Sequence, residues 1–171
     1  MISTGIIRRI DELGRIVIPK EIRRSLNIRD GENIEIIVEN NQIILRKYNL
    51  MNTNNNLAKK LCEIIYNEFN CKIIITDREK IIAEKGINNE LVNTKLNSNL
   101  INAIENRKIE TKYDLNLTIE NKSIIGNFIF IPIISLNDSI GLVIMYNKEK
   151  FSFEESLGKL VAAIFSQKLD I

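Results

Sequence analysis

The stretch that decides the fold of the N-terminal part of this 171-residue chain is Ile10–Lys20, with the sequence IDELGRIVIPK. It predicts that a strand over Gly5–Ile10 enters a turn and that a second strand, Arg15–Ile18, leaves it. Gly14 closes the turn because glycine adopts positive φ without steric cost. Pro19 suits the first position of a helix, since its φ is already helical and its missing N–H is not needed there.

The short helix predicted after the proline is basic on one side. At 100° per residue, Lys20, Arg23 and Arg24 fall on one side, and Ile22 and Leu26 fall on the opposite side. The helix can therefore bury an aliphatic pair while it presents three cations together. Guanidinium groups offer a planar fork of donors that suits phosphate oxygens and guanine edges.

More arginines lie on both sides of the turn. Arg8 and Arg9 precede it and Arg15 follows it, so pairing of the two strands would bring them close together. Asp11 and Glu12 lie within this group, and we expect them to orient the arginines by ion pairing. Residues 1–25 carry six basic and three acidic side chains, whereas residues 49–171 carry fifteen of each. The positive excess therefore belongs to the N-terminal part of the chain.

The rest of this part predicts two more strands and a thin core. Apolar residues alternate with glutamates in Ile34–Glu39, and a second strand returns over Ile43–Lys47 after a hairpin turn at Asn40-Asn41. Fewer than 50 residues with strands this short make a marginal core. We therefore expect two chains to interleave their strands in one barrel.

Residues 3–48 resemble the DNA-binding domain of the AbrB-type transition-state regulators. The resemblance implies a swapped-hairpin β-barrel dimer that binds double-stranded DNA. It also implies which residues touch DNA, because Arg8, Arg15, Arg23 and Arg24 occupy the motif positions that do so in the family. Arg9 and Lys20 lie beside them and are expected to hold phosphates. A DNA-binding domain over residues 1–48 is therefore expected.

The remaining chain predicts a linker over residues 49–56, which hold five asparagines, and a second domain over 57–171. The pattern predicts an amphipathic helix over Leu57–Phe69, a buried strand over Lys72–Thr76 and a strand over Lys80–Ala83. Short helices are expected within 88–107, and two apolar strands around a turn at Asn137-Asp138. A last helix is expected to open with a capping box formed by Ser152 and Glu155, and to bury a stripe containing Phe153, Leu157, Leu160, Val161 and Ile164.

This order of elements indicates an α+β fold with an antiparallel sheet flanked by helices. The segments at 131–134 and 139–144 are similar to the central hairpin of GAF domains, which often hold a small ligand. A core filled by its own side chains is the alternative, and no ligand-binding residues can be named. The C-terminal part also resembles that of sporulation regulators in the AbrB group. This resemblance implies that helices join two dimers into a tetramer, whereas periodicity alone leaves an intramolecular core open.

Composition argues against several other classes of protein. The chain has no histidine, and Cys62 and Cys71 form no CxxC motif, so we expect no metal site, no cofactor and no catalytic residue. Buried cysteine usually behaves as a small apolar residue. No apolar run has the ~20 residues of a membrane helix, and no signal peptide is evident. The expected location is the cytoplasm, in association with the nucleoid.

The function expected from the sequence is a homo-oligomeric, sequence-specific transcription regulator of sporulation-stage genes. It would bind DNA as a dimer or a dimer of dimers, with a small ligand of the GAF-like domain as an open question. One alternative is an antitoxin-type DNA-binding autoregulator, which usually carries a short disordered tail instead of an apolar, periodic C-terminal half. Another is a GAF-fold thiol redox enzyme using Cys62 or Cys71.

Overall fold

The computed structural model describes residues 5–26, 28–31, 33–47, 51, 54–87 and 89–169. The chain forms two compact units, Met1–Tyr48 and Asn49–Ile171. Half of the segment 49–56, for which the sequence predicts a linker, lies outside the described residues. A helix begins within that segment at Asn55.

The N-terminal unit contains one short helix and one β-hairpin. Helix α1 spans Lys20–Ser25, strand β1 spans Ile34–Glu39, and strand β2 spans Gln42–Lys47. The two strands pair antiparallel from Ile34 opposite Lys47 to Glu39 opposite Gln42. Both turn residues have positive φ, 48° at Asn40 and 60° at Asn41, which asparagine tolerates. The predicted hairpin is confirmed.

The strands predicted over 5–10 and 15–18 are not formed within the described chain. Apolar side chains in this region are exposed, including Ile7 at 93% and Val17 at 75%. The alternating residues of β1 are not half-buried as predicted either, since Ile36 is 67% and Val38 is 76% exposed. Strands need a pairing partner and apolar faces need cover, and the described residues of one chain supply neither here.

The C-terminal unit is a five-stranded antiparallel sheet between two layers of helices. The strand order is β4-β3-β7-β6-β5. A single 3₁₀ turn, Asn89–Leu91, follows β4. In chain order the helices and strands are α2 Asn55–Phe69, β3 Lys72–Thr76, β4 Ile81–Lys85, α3 Ser98–Asn106, β5 Glu110–Ile119, β6 Lys122–Ser135, β7 Asp138–Asn147 and α4 Glu154–Leu169.

Each face of this sheet has its own core. On one face Ile73 and Ile75 of β3 pack with buried residues of α2 and α4, among them Cys62 and Phe165. On the other face Ile74 packs with buried residues of α3, the 3₁₀ turn, the strands and the loop before α3. These residues are Ile81, Leu91, Leu96, Leu100, Ala103, Ile104, Leu117, Ile119, Phe128, Phe130, Leu142, Ile144 and Tyr146. Successive residues of a strand point to opposite faces, so a run that is buried on both sides must be apolar throughout. The continuous run predicted at Lys72–Thr76 is such a strand.

Strand β5 was not predicted, although part of its pattern is visible in the sequence. Leu115, Leu117 and Ile119 alternate with polar residues, as expected of a half-buried strand. A register shift between Lys112 and Leu115, with φ 50° at Asp114, interrupts the alternation. The bulge therefore explains why the alternation of apolar and polar residues in β5 was not recognised in the sequence.

The start and the buried face of α4 also differ from the prediction. The carboxylate that accepts the N–H groups of Ser152 and Phe153, at 2.7 and 3.1 Å, belongs to Glu154 and not to Glu155. Burial acts to raise the pKa of Glu154, but these hydrogen bonds and one from Asn147 outweigh it, and the pKa is lowered. The buried face follows Glu154 in register and consists of Gly158, Val161, Ala162 and Phe165, so Leu160 is 56% exposed.

Candidate nucleic-acid interface

Helix α1 presents the three cations that its sequence predicts. It is held at its start by Arg23 N–H donating to the Pro19 carbonyl at 3.0 Å, and at its end by Leu26 N–H donating to the Ile22 carbonyl at 3.0 Å. Lys20 and Arg24 are exposed, while the side chain of Arg23 is 38% exposed. Residues three and four apart are neighbours on a helix surface, so the three cations form one face.

The turn before α1 is closed by backbone hydrogen bonds. Asp11 N–H donates to the Arg15 carbonyl at 3.1 Å, and Gly14 N–H donates to the Asp11 carbonyl at 2.9 Å. Gly14 has φ 75°, as the sequence predicts. These bonds bring the two arms of the turn together at Asp11 and Arg15. Arg8 and Arg9 are exposed on the arm before the turn.

We refer to these six residues as the basic cluster, which consists of Arg8, Arg9, Arg15, Lys20, Arg23 and Arg24. Two of them are held by carboxylates. Arg15 Nε lies 2.7 Å from Asp11 Oδ2, and Arg23 Nη1 lies 2.6 Å from Asp30 Oδ1. The pairing expected of Asp11 is confirmed, whereas Glu12 is exposed and forms no ion pair with any described residue. Asp30 was not predicted, because it lies seven residues after Arg23 in a loop, where no periodic signal links the two residues.

The two thiols lie away from solvent. Cys62 and Cys71 are free and are 1% and 5% exposed. Burial raises the pKa of Cys62 far above its usual value, and the neighbouring carboxylates of Glu84 and Glu63 add to this effect. Burial and Glu154 raise the pKa of Cys71 in the same direction. Both side chains are therefore poor sources of thiolate.

The C-terminal unit also has an open surface cleft of about 660 Å³, lined by Tyr113, Asp114, Asn127, Lys148, Glu149, Lys150 and Phe151. The buried amide of Asn127 joins its two walls. Its oxygen accepts the Asp114 N–H at 3.0 Å, and its nitrogen donates to the Glu149 carbonyl at 2.8 Å. The β5 bulge and the loop before α4 are thereby tied to each other.

Within the described part of the chain, no group of three or more acidic or cysteine side chains is placed to hold a metal ion. Helices long and apolar enough to cross a membrane are likewise not found among the described residues.

Comparisons with known proteins cover both units. The family described as "Stage V sporulation protein T C-terminal, transcription factor" matches residues 54–170. The family described as "Antidote-toxin recognition MazE, bacterial antitoxin" matches residues 7–51. Stage V sporulation protein T of Bacillus subtilis is 33% identical over 155 residues, which cover 88% of this chain and 87% of that protein. The transition state regulatory protein AbrB of the same organism is 56% identical over 48 residues, covering 28% of this chain and 50% of AbrB.

Solved structures resemble this chain at low sequence identity. A GAF domain from a Coxiella burnetii phosphoenolpyruvate-protein phosphotransferase has a TM-score of 0.54 and 16% identity, covering 88% of this chain and 89% of that one. A type II free methionine-R-sulfoxide reductase from Thermoplasma acidophilum has a TM-score of 0.54 and 15% identity, covering 70% of this chain and 94% of that one. At these identities the likeness concerns the fold alone, and it confirms the predicted GAF-like architecture.

A small unit with an exposed basic helix, joined to a GAF-like unit, defines a two-unit transcription factor of the AbrB type. The match to stage V sporulation protein T extends over nearly the whole chain, well beyond the N-terminal segment that AbrB and antitoxins share. The chain therefore belongs to the stage V sporulation protein T family.

Proposed function

We propose that this protein regulates sporulation-stage gene expression by binding double-stranded DNA through the basic cluster. The observation that carries the proposal is the face of α1, where Lys20, Arg23 and Arg24 lie side by side, shortly after the arginines of the turn in the sequence. Arg9 and Lys20 are assigned to phosphates, which supply affinity with little sequence information. Arg8, Arg15, Arg23 and Arg24 are assigned to the DNA contacts implied by their motif positions.

Titration of a fluorescent duplex, selected from a random-sequence library with the full chain, tests this proposal. Binding to the selected duplex should exceed binding to a scrambled duplex of the same composition. The logarithm of the association constant should fall linearly with the logarithm of salt concentration, because phosphate contacts release counterions. Binding that shows neither sequence preference nor salt dependence would overturn the proposal.

The N-terminal unit is proposed to fold only as a dimer. Its exposed apolar residues occur both before α1 and on the hairpin, including Ile7, Val17, Val38 and Ile43 at 69–93% exposure. A second copy that interleaves its strands would cover this surface and pair segments 5–10 and 15–18. This arrangement agrees with the swapped-hairpin barrel that the resemblance implies.

A fragment of residues 1–48 is accordingly expected to be a dimer whose thermal midpoint rises with protein concentration. Folding and association are then one equilibrium, so mass action stabilises the folded form. Sedimentation equilibrium and thermal melts over a wide range of concentrations provide the measurement. A folded monomer with a concentration-independent midpoint would contradict the interleaved barrel.

The C-terminal unit is proposed to join two such dimers through the outer surfaces of α2 and α4. Four large apolar side chains of α2, α4 and the residue before α4 are exposed, with Ile64 at 52%, Phe69 at 44%, Phe153 at 46% and Leu160 at 56%. The rings of Phe69 and Phe153 meet edge to face with centroids 6.3 Å apart, which links the two helices at this surface. Apolar side chains gathered on neighbouring helices are typical of a protein interface.

Light scattering of the full chain should therefore give a tetramer at micromolar concentration. The Ile64→Glu, Leu160→Glu double variant is expected to give a dimer, because two carboxylates would be buried without partners in the interface. Ile125→Glu is the matched control, since Ile125 is 65% exposed on β6 and lies outside the α2 and α4 surfaces. A full chain that remains dimeric would make these helices part of the intramolecular core only.

The GAF-fold thiol redox enzyme is not supported by the state of the two cysteines. At pH 7.5 neither Cys62 nor Cys71 should react with iodoacetamide in the native protein, whereas both should react in denaturant. Mass spectrometry of the alkylated protein is the measurement. Rapid labelling of either native thiol would reopen the enzymatic alternative.

Modulation by a small molecule is assigned to the cleft joined by Asn127. The core between the sheet and α3 consists of buried apolar side chains, whereas the cleft is open and combines aromatic and charged groups. A compound found by thermal-shift screening of the full chain should lose its effect in Tyr113→Ala. An effect unchanged by this substitution would place the ligand elsewhere.

A further inference from the structure

We propose that Asp11 is a positioning residue that fixes Arg15 for contact with a base, so that discrimination between DNA sequences depends on the Asp11–Arg15 pair. This inference rests on the proposed DNA-binding function. It assigns different roles in DNA binding to residues of the basic cluster that carry the same charge.

The Asp11 carboxylate is bonded on both oxygens. Oδ1 accepts the N–H of Leu13 at 3.0 Å and the N–H of Arg15 at 2.8 Å, while Oδ2 accepts the Nε–H of Arg15 at 2.7 Å. Together with the backbone bonds that close the turn, these contacts fix the Arg15 guanidinium relative to its own main chain. Few exposed arginines are restrained in this way, because surface ion pairs usually join residues on separate, mobile side chains.

The pairing with Asp11 leaves the two terminal amino groups of Arg15 available for a contact with DNA. A guanidinium has five N–H donors, and the Asp11 contact uses the one on Nε, so the terminal amino groups keep theirs. The Arg15 side chain is 71% exposed. Two parallel donors at the terminus match O6 and N7 of guanine, and a guanidinium that is already oriented loses less entropy on forming both bonds.

The Arg23–Asp30 pair has the opposite arrangement. Its contact is made by Nη1, which is part of the terminus that a base would require, and Asp30 itself is 94% exposed. This contact occupies one of the two N–H groups on Nη1, so Arg23 has fewer terminal donors available for a base than Arg15 has. The comparison therefore selects Arg15 as the guanidinium prepared for a base contact in the unbound protein.

Electrostatics alone predicts that the Asp11 carboxylate weakens binding to DNA. A negative charge next to phosphates opposes binding to any duplex, so its removal should strengthen binding everywhere. Hydrogen bonds from the Arg15 backbone and side chain lower the pKa of Asp11, and the group stays ionised near neutral pH. A positioning role therefore predicts a result that a charge effect does not.

The test compares Asp11→Asn with Glu12→Gln in the full chain. The Asn oxygen can still accept the two backbone N–H groups of the turn, but its NH₂ cannot accept the Nε–H of Arg15. Glu12→Gln removes the same charge from the neighbouring residue, which has no ion pair with the described residues. Unchanged circular dichroism and thermal midpoint confirm that both variants are folded.

Affinity is measured for the selected duplex and for the scrambled duplex at fixed salt. Glu12→Gln should strengthen both by a similar factor. Asp11→Asn should strengthen only scrambled binding and reduce the ratio of selected to scrambled affinity about tenfold, the scale of one bidentate base contact. Arg15→Lys, which keeps the charge and removes the fork, should reduce the ratio similarly.

An Asp11→Asn protein that matches Glu12→Gln on both duplexes would overturn the inference and leave the proposed function intact. Failure of the function itself has a different signature, since removal of Arg23 and Arg24 would then leave both affinities unchanged.

Discussion

The Arg23→Ala, Arg24→Ala double variant is expected to weaken binding to the selected duplex by about 2–6 kcal/mol, at about 1–3 kcal/mol for each arginine that is removed. Both residues lie in the last turn of α1, on its basic side. A dimer would have four fewer cations on its DNA-binding face. The salt dependence should flatten by about one unit of slope for each phosphate that is no longer neutralised.

Fluorescence anisotropy at several salt concentrations measures both effects. Lys59→Ala, Lys60→Ala is the matched control, because it removes two exposed neighbouring cations from α2 while leaving the basic cluster intact. Unchanged affinity in a folded Arg23→Ala, Arg24→Ala protein would reject α1 as the DNA-binding element. Equal losses of affinity in the lysine control would instead show that the effect arises from overall charge and not from contacts made by α1.

Gly141→Ala is expected to destabilise the C-terminal unit by about 3 kcal/mol or more, because overpacking against main chain cannot be relieved by a change of rotamer. Gly141 lies in β7, the central strand of the sheet. A methyl group there would overlap the Thr76 carbonyl oxygen and lie 3.0 Å from the carbonyl carbon and 3.2 Å from Asp77 Cα. The change forces β3 away from β7.

Gly158→Ala provides the comparison, and denaturant unfolding of both variants provides the measurement. Its methyl group would also meet buried atoms, but these are the Ile131 Cδ1 methyl and Met145 Cγ at 2.9 Å, on side chains that can move. Alanine also favours the helical conformation by about 1 kcal/mol over glycine. Gly158→Ala should therefore cost much less, and equal destabilisation at both positions would contradict the backbone argument.

Sequence reasoning succeeded where a local signal was sufficient. The β-branched run at β3, the Asn40-Asn41 turn and Gly14 each specify their own conformation within a few residues. The turn between β6 and β7 lies at Leu136-Asn137, one residue before the predicted Asn137-Asp138. Sequence reasoning failed where the local conformation depends on residues that are distant in sequence or on a second chain. The bulge at Asp114 broke the period of β5, and the strands before α1 require a surface that one chain does not supply.

The candidate site divides in the same way. The types and spacing of the basic cluster follow from the motif, and the Asp11–Arg15 pair follows from proximity in a tight turn. The partner of Arg23 was not predictable, because the position of Asp30 depends on how the loop after α1 folds back. Glu155 illustrates an error of one residue, since the carboxylate of the adjacent Glu154 makes the contact. Asp11 and Glu12 were both expected to pair with arginines, and among the described residues Asp11 does so.

The exposed isoleucines and valines of the N-terminal unit have a consequence for gene dosage. If the second chain supplies their cover, newly made protein is inactive until it meets a copy of itself. At low abundance the amount of dimer then grows with the square of the amount of chain, so doubling synthesis raises the DNA-binding form about fourfold. Such a regulator responds weakly to leaky expression and steeply to sustained expression, and this threshold needs no additional component.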